Sequence, residues 1–392
     1  MSADLRARFE GFRARAGAAG PVPDAPPAGG PAAPPRPLPG GVWATVETPD
    51  GPVPVRDDHR ALPFVSQLRG PWPSRIAGCD LGPVEGWRWV DLETTGLAGA
   101  RAFLAAVGRV EGDGLALRQY LLEDLDREPA FLTAVSADLA GGGAFVSYNG
   151  RSFDLPLLRD RLHLARLPEL PNPPHWDVLH AARRLWGEGA GGASLRVLQA
   201  EVLGAPRSGD VPGEWIPALY REWLEGDGQA LDGVCAHNRE DLFALGELAA
   251  RLAAALADGV RPGMPAPVLR GLARAYERAG DPERAIAGHL ARGGREASLE
   301  AARLLKRLGR ASEAAPLWDA ARAGPIPSVE AAIELAKDLE HRRRDPGAAL
   351  RVVRETLRGS PWIGEASRRA LEQRLRRLCR KTGEPWDGPA QG

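Results

Sequence analysis

The run Trp87-Arg88-Trp89-Val90-Asp91-Leu92-Glu93 carries a strand-like pattern into two acids two positions apart, and that pair constrains the chain more than any other feature. On a strand, residues i and i+2 project from the same face, so Asp91 and Glu93 stand side by side at the strand's end. Two like charges about 4 Å apart repel by about 4 kcal/mol at an effective dielectric near 20, a cost relieved when a cation sits between them. A divalent metal meets that need, and oxygen-only ligation favours Mg²⁺ or Mn²⁺ over zinc. Alone, such a pair reads first as solvated or salt-bridged; what else the chain brings to it decides.

The surrounding periodicities define a fold class. Phe103 to Val110 and Leu115 to Leu122 are apolar runs joined by Glu111-Gly112-Asp113-Gly114, a hairpin loop, and with Trp87 to Glu93 they make three antiparallel strands. Pro129 to Leu139 has helical spacing, Gly141-Gly142-Gly143 ends it, and Ala144 to Tyr148 is a fourth strand. Helices are expected over 154–164, 177–186, 194–203 with Ser194 as N-cap, and 231–256. The class is α/β, a mixed sheet covered by helices. Upstream, residues 5–15 suit a short amphipathic helix, and 21–40 hold nine Pro, three Gly and four Ala, the composition of a linker. Gly41 to Arg56 reads as a small hairpin about Pro49-Asp50-Gly51-Pro52, with no legible role.

Beyond Arg261-Pro262-Gly263 the chain is helical and repetitive. Leu272 to Ile286 recurs 29 positions later as Ala301 to Ala315, Gly309 matching Gly280 and Ala314 matching Ala285, and a third copy centres on Asp345 to Leu350. Helix pairs with small residues at the crossing resemble tetratricopeptide repeats, although the offsets of 29 and 35 depart from the usual period of about 34. The expected organisation is therefore 1–40 as terminal segment and linker, 41–85 as a small β-containing lead-in, 86–256 as the α/β domain, and 268–382 as the helical repeats.

Across 392 residues, 51 basic side chains balance 51 acidic ones. The balance conceals a split: residues 1–267 carry 26 basic and 34 acidic side chains, residues 268–382 carry 25 and 15. A repeat segment at +10 behind a front at −8 points to a polyanion partner or to an Arg-rich solvated face. Cys79, Cys235 and Cys379 are too few and too dispersed for a disulfide framework or thiolate zinc site. With no apolar signal core after Met1 and no apolar span of eighteen or so residues, the expectation is a cytoplasmic protein with no membrane partner.

Two further carboxylates decide the reading of the first pair. Asp154 opens a helix after Tyr148-Asn149-Gly150, and Asp241 shares a helix face with His237 four residues before it. Asp-x-Glu-Thr-x-Gly, Asn-x(4)-Asp after a strand, and a late helical Asp preceded by His resemble the three motifs of the DEDD 3′-5′ exonucleases, of ribonuclease H-like fold. His175-Trp176-Asp177-Val178-Leu179, Ser194-Leu195, Arg207 to Pro217 and His237-Asn238-Arg239-Glu240-Asp241 are similar to the bacterial YprB-like ribonuclease H-like proteins. The resemblance covers about residues 86–255. It implies a ribonuclease H-like domain ahead of the repeats, two Mg²⁺ or Mn²⁺ ions on Asp91, Glu93, Asp154 and Asp241, and His237 as general base. One departure is the base itself: in the family His stands five residues before the last Asp and Tyr four, whereas His stands four before it here.

That chemistry needs these residue types. Phosphodiester cleavage builds negative charge on an in-line phosphorane, which paired cations offset while a neutral histidine takes a proton from water. Tyr148 by stacking, Asn149 by hydrogen bonding, and Thr94 are candidates to contact the terminal nucleotide. Asp177 reads as a helix cap or a group behind the ligands, Glu240 and Asp160 as solvated helix faces, His163, His175 and His180 as surface or packing residues, and Trp215, Trp223 and Trp318 as core. The expected partner is a single-stranded end of DNA or RNA, with a protein partner for the repeats as the rival reading. A scaffold with weak turnover and a structure-specific endonuclease are the alternative functions.

Overall fold

The computed structural model describes residues 37–63, 65–96, 100–322, 328–359 and 363–386. The helix expected over 5–15 and most of the Pro-rich stretch lie outside the described residues. The chain divides into two compact units, Met1–Gly259 and Val260–Gly392.

The first unit opens with a hairpin of β1 (Ala44–Thr48) and β2 (Gly51–Ala61), where Gly51 takes the positive φ of 125° that the tight turn demands. Short helices α1 (Val65–Leu68) and α2 (Trp72–Ala77) lead to the expected antiparallel trio, β3 (Trp87–Thr94), β4 (Ala102–Glu111) and β5 (Gly114–Leu121). β2 pairs antiparallel with β5 from Val55 opposite Tyr120 to Ala61 opposite Gly114, so the hairpin whose role the sequence left unread is the flank of the main sheet.

Helix α3 (Glu128–Ala140), strand β6 (Ala144–Ser147) and helix α4 (Asp154–Leu164) follow as expected. Strand β7 (His175–Asp177) was not legible: three residues are too few for a period to show. The helix expected over 177–186 is α5 (Val178–Ala182) running into a π-helical turn, Arg183–Gly187. Helix α6 (Leu195–Glu201) has Ser194 accepting from Val197 N at its start, and α7 (Ile216–Leu224) precedes the long α8 (Asp232–Asp258). Among the described residues the sheet has seven strands in the order β1-β2-β5-β4-β3-β6-β7, with β6 parallel to β3 and β7 parallel to β6.

Alternation along β3 sorts its side chains. Val90 and Leu92 join the core that includes Phe131 and Val135 of α3, and Asp91 and Glu93 point the other way with Trp87 and Trp89. Trp87 and Trp176 meet edge to face with ring centres 6.1 Å apart. Gly108 of β4 lets α8 lie close, since a Cβ there would stand 2.9 Å from Leu242 Cδ2 and 3.3 Å from Trp89 Cβ. Trp223 is fully buried, whereas Trp215, expected in the core, sits half-buried in a 3₁₀ turn against it.

The second unit is helical: α9 (Ala266–Arg278), α10 (Pro282–Arg292), α11 (Gly294–Arg307), α12 (Ala311–Arg322), α13 (Val329–Lys337), α14 (Pro346–Gly359) and α15 (Glu365–Thr382), each packed on the next. The turns between paired helices repeat the sequence offsets: Gly280 at φ 70°, Gly309 at 76° and Arg344 at 56° occupy equivalent left-handed positions. Asp281 and Asp345 then cap the following helix through Arg284 N and Ala348 N.

Candidate functional site

The end of β3 is where the expected residues meet. A register shift between Glu93 and Thr94 kinks the strand there, an irregularity that re-aims side chains. Leu92 N, on the same stretch, donates to Asp154 Oδ1 at 3.1 Å, which ties the start of α4 to β3. From α8, Asn238 Nδ2 donates to Asp91 Oδ2 at 2.8 Å and to the Asp91 carbonyl at 3.3 Å. One turn of that helix presents His237 and Asp241 together, Nε2 3.5 Å from Oδ2.

The electrostatics are those of crowded, buried acids. Burial, then the charges of Asp241, Glu93 and Asp154, push the Asp91 carboxyl well above its ordinary range, against the pull of the Asn238 hydrogen bond. Glu93 is raised to about 8, by burial first, with His237 opposing and Asp241, Asp154 and Asp210 adding to the rise. Asp154 is raised to about 7, again by burial first, although its own and the Leu92 backbone hydrogen bonds work downward.

His237 is held from behind. Its Nδ1 stands 2.7 Å from Asp210 Oδ1, and because a carboxylate only accepts, that nitrogen carries the proton. Burial works to lower the imidazole's pKa, and the Asp210 hydrogen bond with the charges of Asp241 and Glu93 more than reverses it. Asp210 ends below the usual carboxylate range because His237 and Arg207 outweigh its burial. Arg207, buried in the segment after α6, reaches Asp241 Oδ1 through Nη2 at 2.5 Å and Asp210 Oδ2 through Nη1 at 3.4 Å.

The three candidate substrate contacts lie at different distances from availability. Thr94 is half-buried beside the β3 kink. Asn149 adopts a left-handed φ of 70°, tolerated by Asn, and its backbone N–H donates to Asp177 Oδ1 at 2.9 Å. Tyr148 donates its hydroxyl to the Ala193 carbonyl at 2.5 Å, so the hydroxyl is committed within the protein. Asp177 caps α5 through Leu179 N and holds the Asn149–Arg151 turn. Glu240, expected on a solvated face, is instead clamped by Arg60 at 2.6 and 2.9 Å, a partner 180 residues away that helical periodicity does not register.

Arg207, Asp210, Asn238 and Gln119 received no role from sequence. Gln119 and Asn238 are fully buried and form a chain: Arg56 Nη2 donates to Gln119 Oε1 at 2.5 Å, Gln119 Nε2 to Asn238 Oδ1 at 2.9 Å, and Asn238 to Asp91. The available signal was an amide, Gln119, standing with Arg118 inside the largely apolar Leu115–Leu122 run.

Hard carboxylate oxygens with raised proton affinity suit a divalent cation such as Mg²⁺ or Mn²⁺. Among the described residues, however, no three His, Cys, Asp or Glu side chains are arranged to hold an ion, and Asp241 is engaged by Arg207. The donor chemistry fits; the donors are not closed around a centre.

The RNase H superfamily model matches residues 89–253, which span β3 to α8, and this places the first unit in the ribonuclease H-like class. Uncharacterized protein YprB of Bacillus subtilis (strain 168) is 32% identical over 309 residues, covering 74% of this chain and 74% of that one. The chain belongs to the YprB-like family of ribonuclease H-like proteins. Among solved structures, the family B DNA polymerase from Pyrobaculum calidifontis is 16% identical with a TM-score of 0.34. That match covers 53% of this chain and 29% of the polymerase.

Proposed function

We propose that this protein is a divalent-metal-dependent nuclease, a 3′-5′ exonuclease acting on a single-stranded end of DNA or RNA. The observation that carries the reading is the meeting of Asp91, Glu93 and Asp154 with Asp241 and His237 at the kinked end of β3, within a ribonuclease H-like unit. In this reading the four carboxylates hold Mg²⁺ or Mn²⁺, two ions as the exonuclease resemblance implies. Such cations supply Lewis acidity, activating water and offsetting the charge that builds on the phosphate.

The chain's own residues do the rest. His237 takes the proton of the attacking water, its ring fixed by the Nδ1–Asp210 hydrogen bond. Asn238 holds the Asp91 carboxylate through Oδ2, and Leu92 N holds Asp154 through Oδ1, so two ligands are oriented before any ion arrives. Thr94 and Asn149 flank the strand end where the last nucleotide would lie, and Tyr148 offers a ring face, its hydroxyl being occupied.

The test is incubation of the full chain with 5′-labelled and 3′-labelled single-stranded DNA and RNA in Mn²⁺, beside Asp91→Asn. The expected result is stepwise shortening of the 5′-labelled strand, lost in Asp91→Asn and without metal. No cleavage of any substrate, or equal cleavage by Asp91→Asn, would refute it; internal cuts would favour the endonuclease.

One observation favours the scaffold alternative for the second unit. Several basic side chains of the segment whose +10 charge pointed to a polyanion partner are paired internally: Arg303 with Glu330, Lys306 with Glu334, Arg307 with Glu277, Arg310 with Glu283 and Glu313, Arg374 and Arg377 with Glu340. A hollow of about 350 Å³ in the same unit has a mixed lining, apolar through Pro316, Leu335, Leu339 and Val352 and charged through Asp319, Arg322, Arg343, Arg351 and Glu355, which offers a peptide both apolar contact and ionic partners. Tetratricopeptide-like repeats binding a protein partner are the corresponding proposal.

A further inference from the structure

Arg207 holds a place at the site that no motif assigned to it. Its side chain is 7% exposed, and three groups surround the guanidinium. Nε donates to Gln199 Oε1 on α6 at 2.5 Å, and Nη1 meets Asp210 Oδ2 at 3.4 Å. Nη2 approaches Asp241 Oδ1 to 2.5 Å as charge against charge, without a well-directed hydrogen bond. Gln199 is itself buried, and Asp210 is anchored to His237. The guanidinium thus stays tethered on two sides even if Asp241 leaves it.

The charge balance gives this contact its meaning. Asp91, Glu93, Asp154, Asp210 and Asp241 share one neighbourhood with Arg207 and His237. The nearby Arg60 and Arg239 are paired with Glu240 and Asp58. Asp241 is therefore neutralised by a fixed monovalent cation, while Asp91 and Asp154 accept from neutral donors, Asn238 Nδ2 and Leu92 N.

We propose that Arg207 is a positioning residue that sets how many divalent cations the site takes. Asp91, Glu93 and Asp154 would hold a first cation, and Asp241 would be free to hold a second only once it left Arg207. The freed guanidinium, still held by Gln199 and Asp210, then faces the site and is placed to meet a phosphate, whose oxygens match its fork. The arrival of an anionic substrate and the loading of the second cation are thereby coupled, because both favour Arg207 leaving Asp241. This inference rests on the metal-dependent reading above.

The test is calorimetric titration of the full chain with Mn²⁺, supported by electron paramagnetic resonance to detect spin-coupled ion pairs. The parent is expected to bind one equivalent and then a second at least about tenfold more weakly, a gap of about 1.4 kcal/mol. Arg207→Gln should bring the two steps together, with the coupled signal appearing at lower Mn²⁺. Arg239→Gln, which removes a neighbouring cation from the same region, should leave the gap in place. Arg207→Lys, which keeps the charge, guards against loss of folding in the Gln variant and should preserve most of the gap. Two steps of equal strength in the parent, or an unchanged gap in folded Arg207→Gln, overturn the role of Arg207 alone. Absence of Mn²⁺ binding in every protein overturns the metal-dependent reading with it.

Discussion

Replacing Glu340 by Gln should unsettle the helical unit more than any other single charge removal there. Glu340 lies in the π-helical turn Asp338–Arg342 with its side chain wholly shielded from solvent, and it gathers Arg374 at 2.9 Å, Arg377 at 2.5 Å and Lys381 at 2.7 Å from α15. Burial works to raise its pKa, but those hydrogen bonds and charges bring the folded value from 4.5 down to about 2. At 1.36 kcal/mol per pH unit the difference corresponds to about 3 kcal/mol, the size expected when one partner of a buried ionic cluster is lost. The sign follows from the depression: the contribution is complete above pH 4.5 and is lost as pH falls toward 2. Urea melts followed by circular dichroism from neutral pH to about pH 2 measure it, comparing parent with Glu340→Gln. The two should differ by about 3 kcal/mol at neutral pH and converge in acid. Equal stability at neutral pH, or a gap that survives undiminished in acid, would show that Glu340 is not the anchor.

Other consequences can be checked directly. His175 accepts or donates at Ser147 Oγ, 2.8 Å from Nε2, and burial followed by the Arg151 charge lowers its pKa from 6.5 to about 4; its contribution is intact above pH 6.5 and lost as pH falls toward 4, about 3 kcal/mol that proton NMR of the ring and parallel melts should detect. Arg344→Gly should stabilise the helical unit by about 1 kcal/mol in denaturant melts, since Arg344 occupies the left-handed position that Gly280 and Gly309 fill in the other copies. Gly150→Ala places a Cβ 2.6 Å from Ser147 Oγ and 2.9 Å from Asp154 Oδ2; Mn²⁺ calorimetry should show weakened binding, and any nuclease turnover should fall by about a hundredfold as Asp154 is displaced.

The elements that sequence revealed are those whose signal is local. A strand-like pattern located β3 and apolar runs either side of a hairpin loop located β4 and β5, each of eight or more residues, and Gly-rich punctuation placed the end of α3 and the start of β6. What escaped depends on partners far along the chain. β7 has three residues and owes its existence to the neighbouring β6, and the β1–β2 hairpin acquires its place only through β5, about sixty residues on. The +10 charge of the second unit left a polyanion partner and a solvated face both open for the same reason: charge can be counted locally, but the glutamates paired with Arg303, Lys306 and Arg310 come from other helices.

The site divides along the same line. Asp91 with Glu93, and His237 with Asp241, are pairs set by strand and helix periods, so their side-by-side placement is legible in the sequence. The chain from Arg56 through Gln119 and Asn238 to Asp91 was not, because it joins β2, β5, α8 and β3. Its logic is directional. For Asn238 to donate Nδ2 to the Asp91 carboxylate it must turn Oδ1 toward a donor, and Gln119 Nε2 is that donor, shared with the Cys235 carbonyl. Gln119 must then present Oε1 to the other side, where Arg56 supplies Nη2. A guanidinium has no acceptor face, so the amide orientations cannot reverse without stranding a buried donor against a donor. The hairpin that begins the described chain therefore fixes, three hydrogen bonds away, which way the first carboxylate of the site is held.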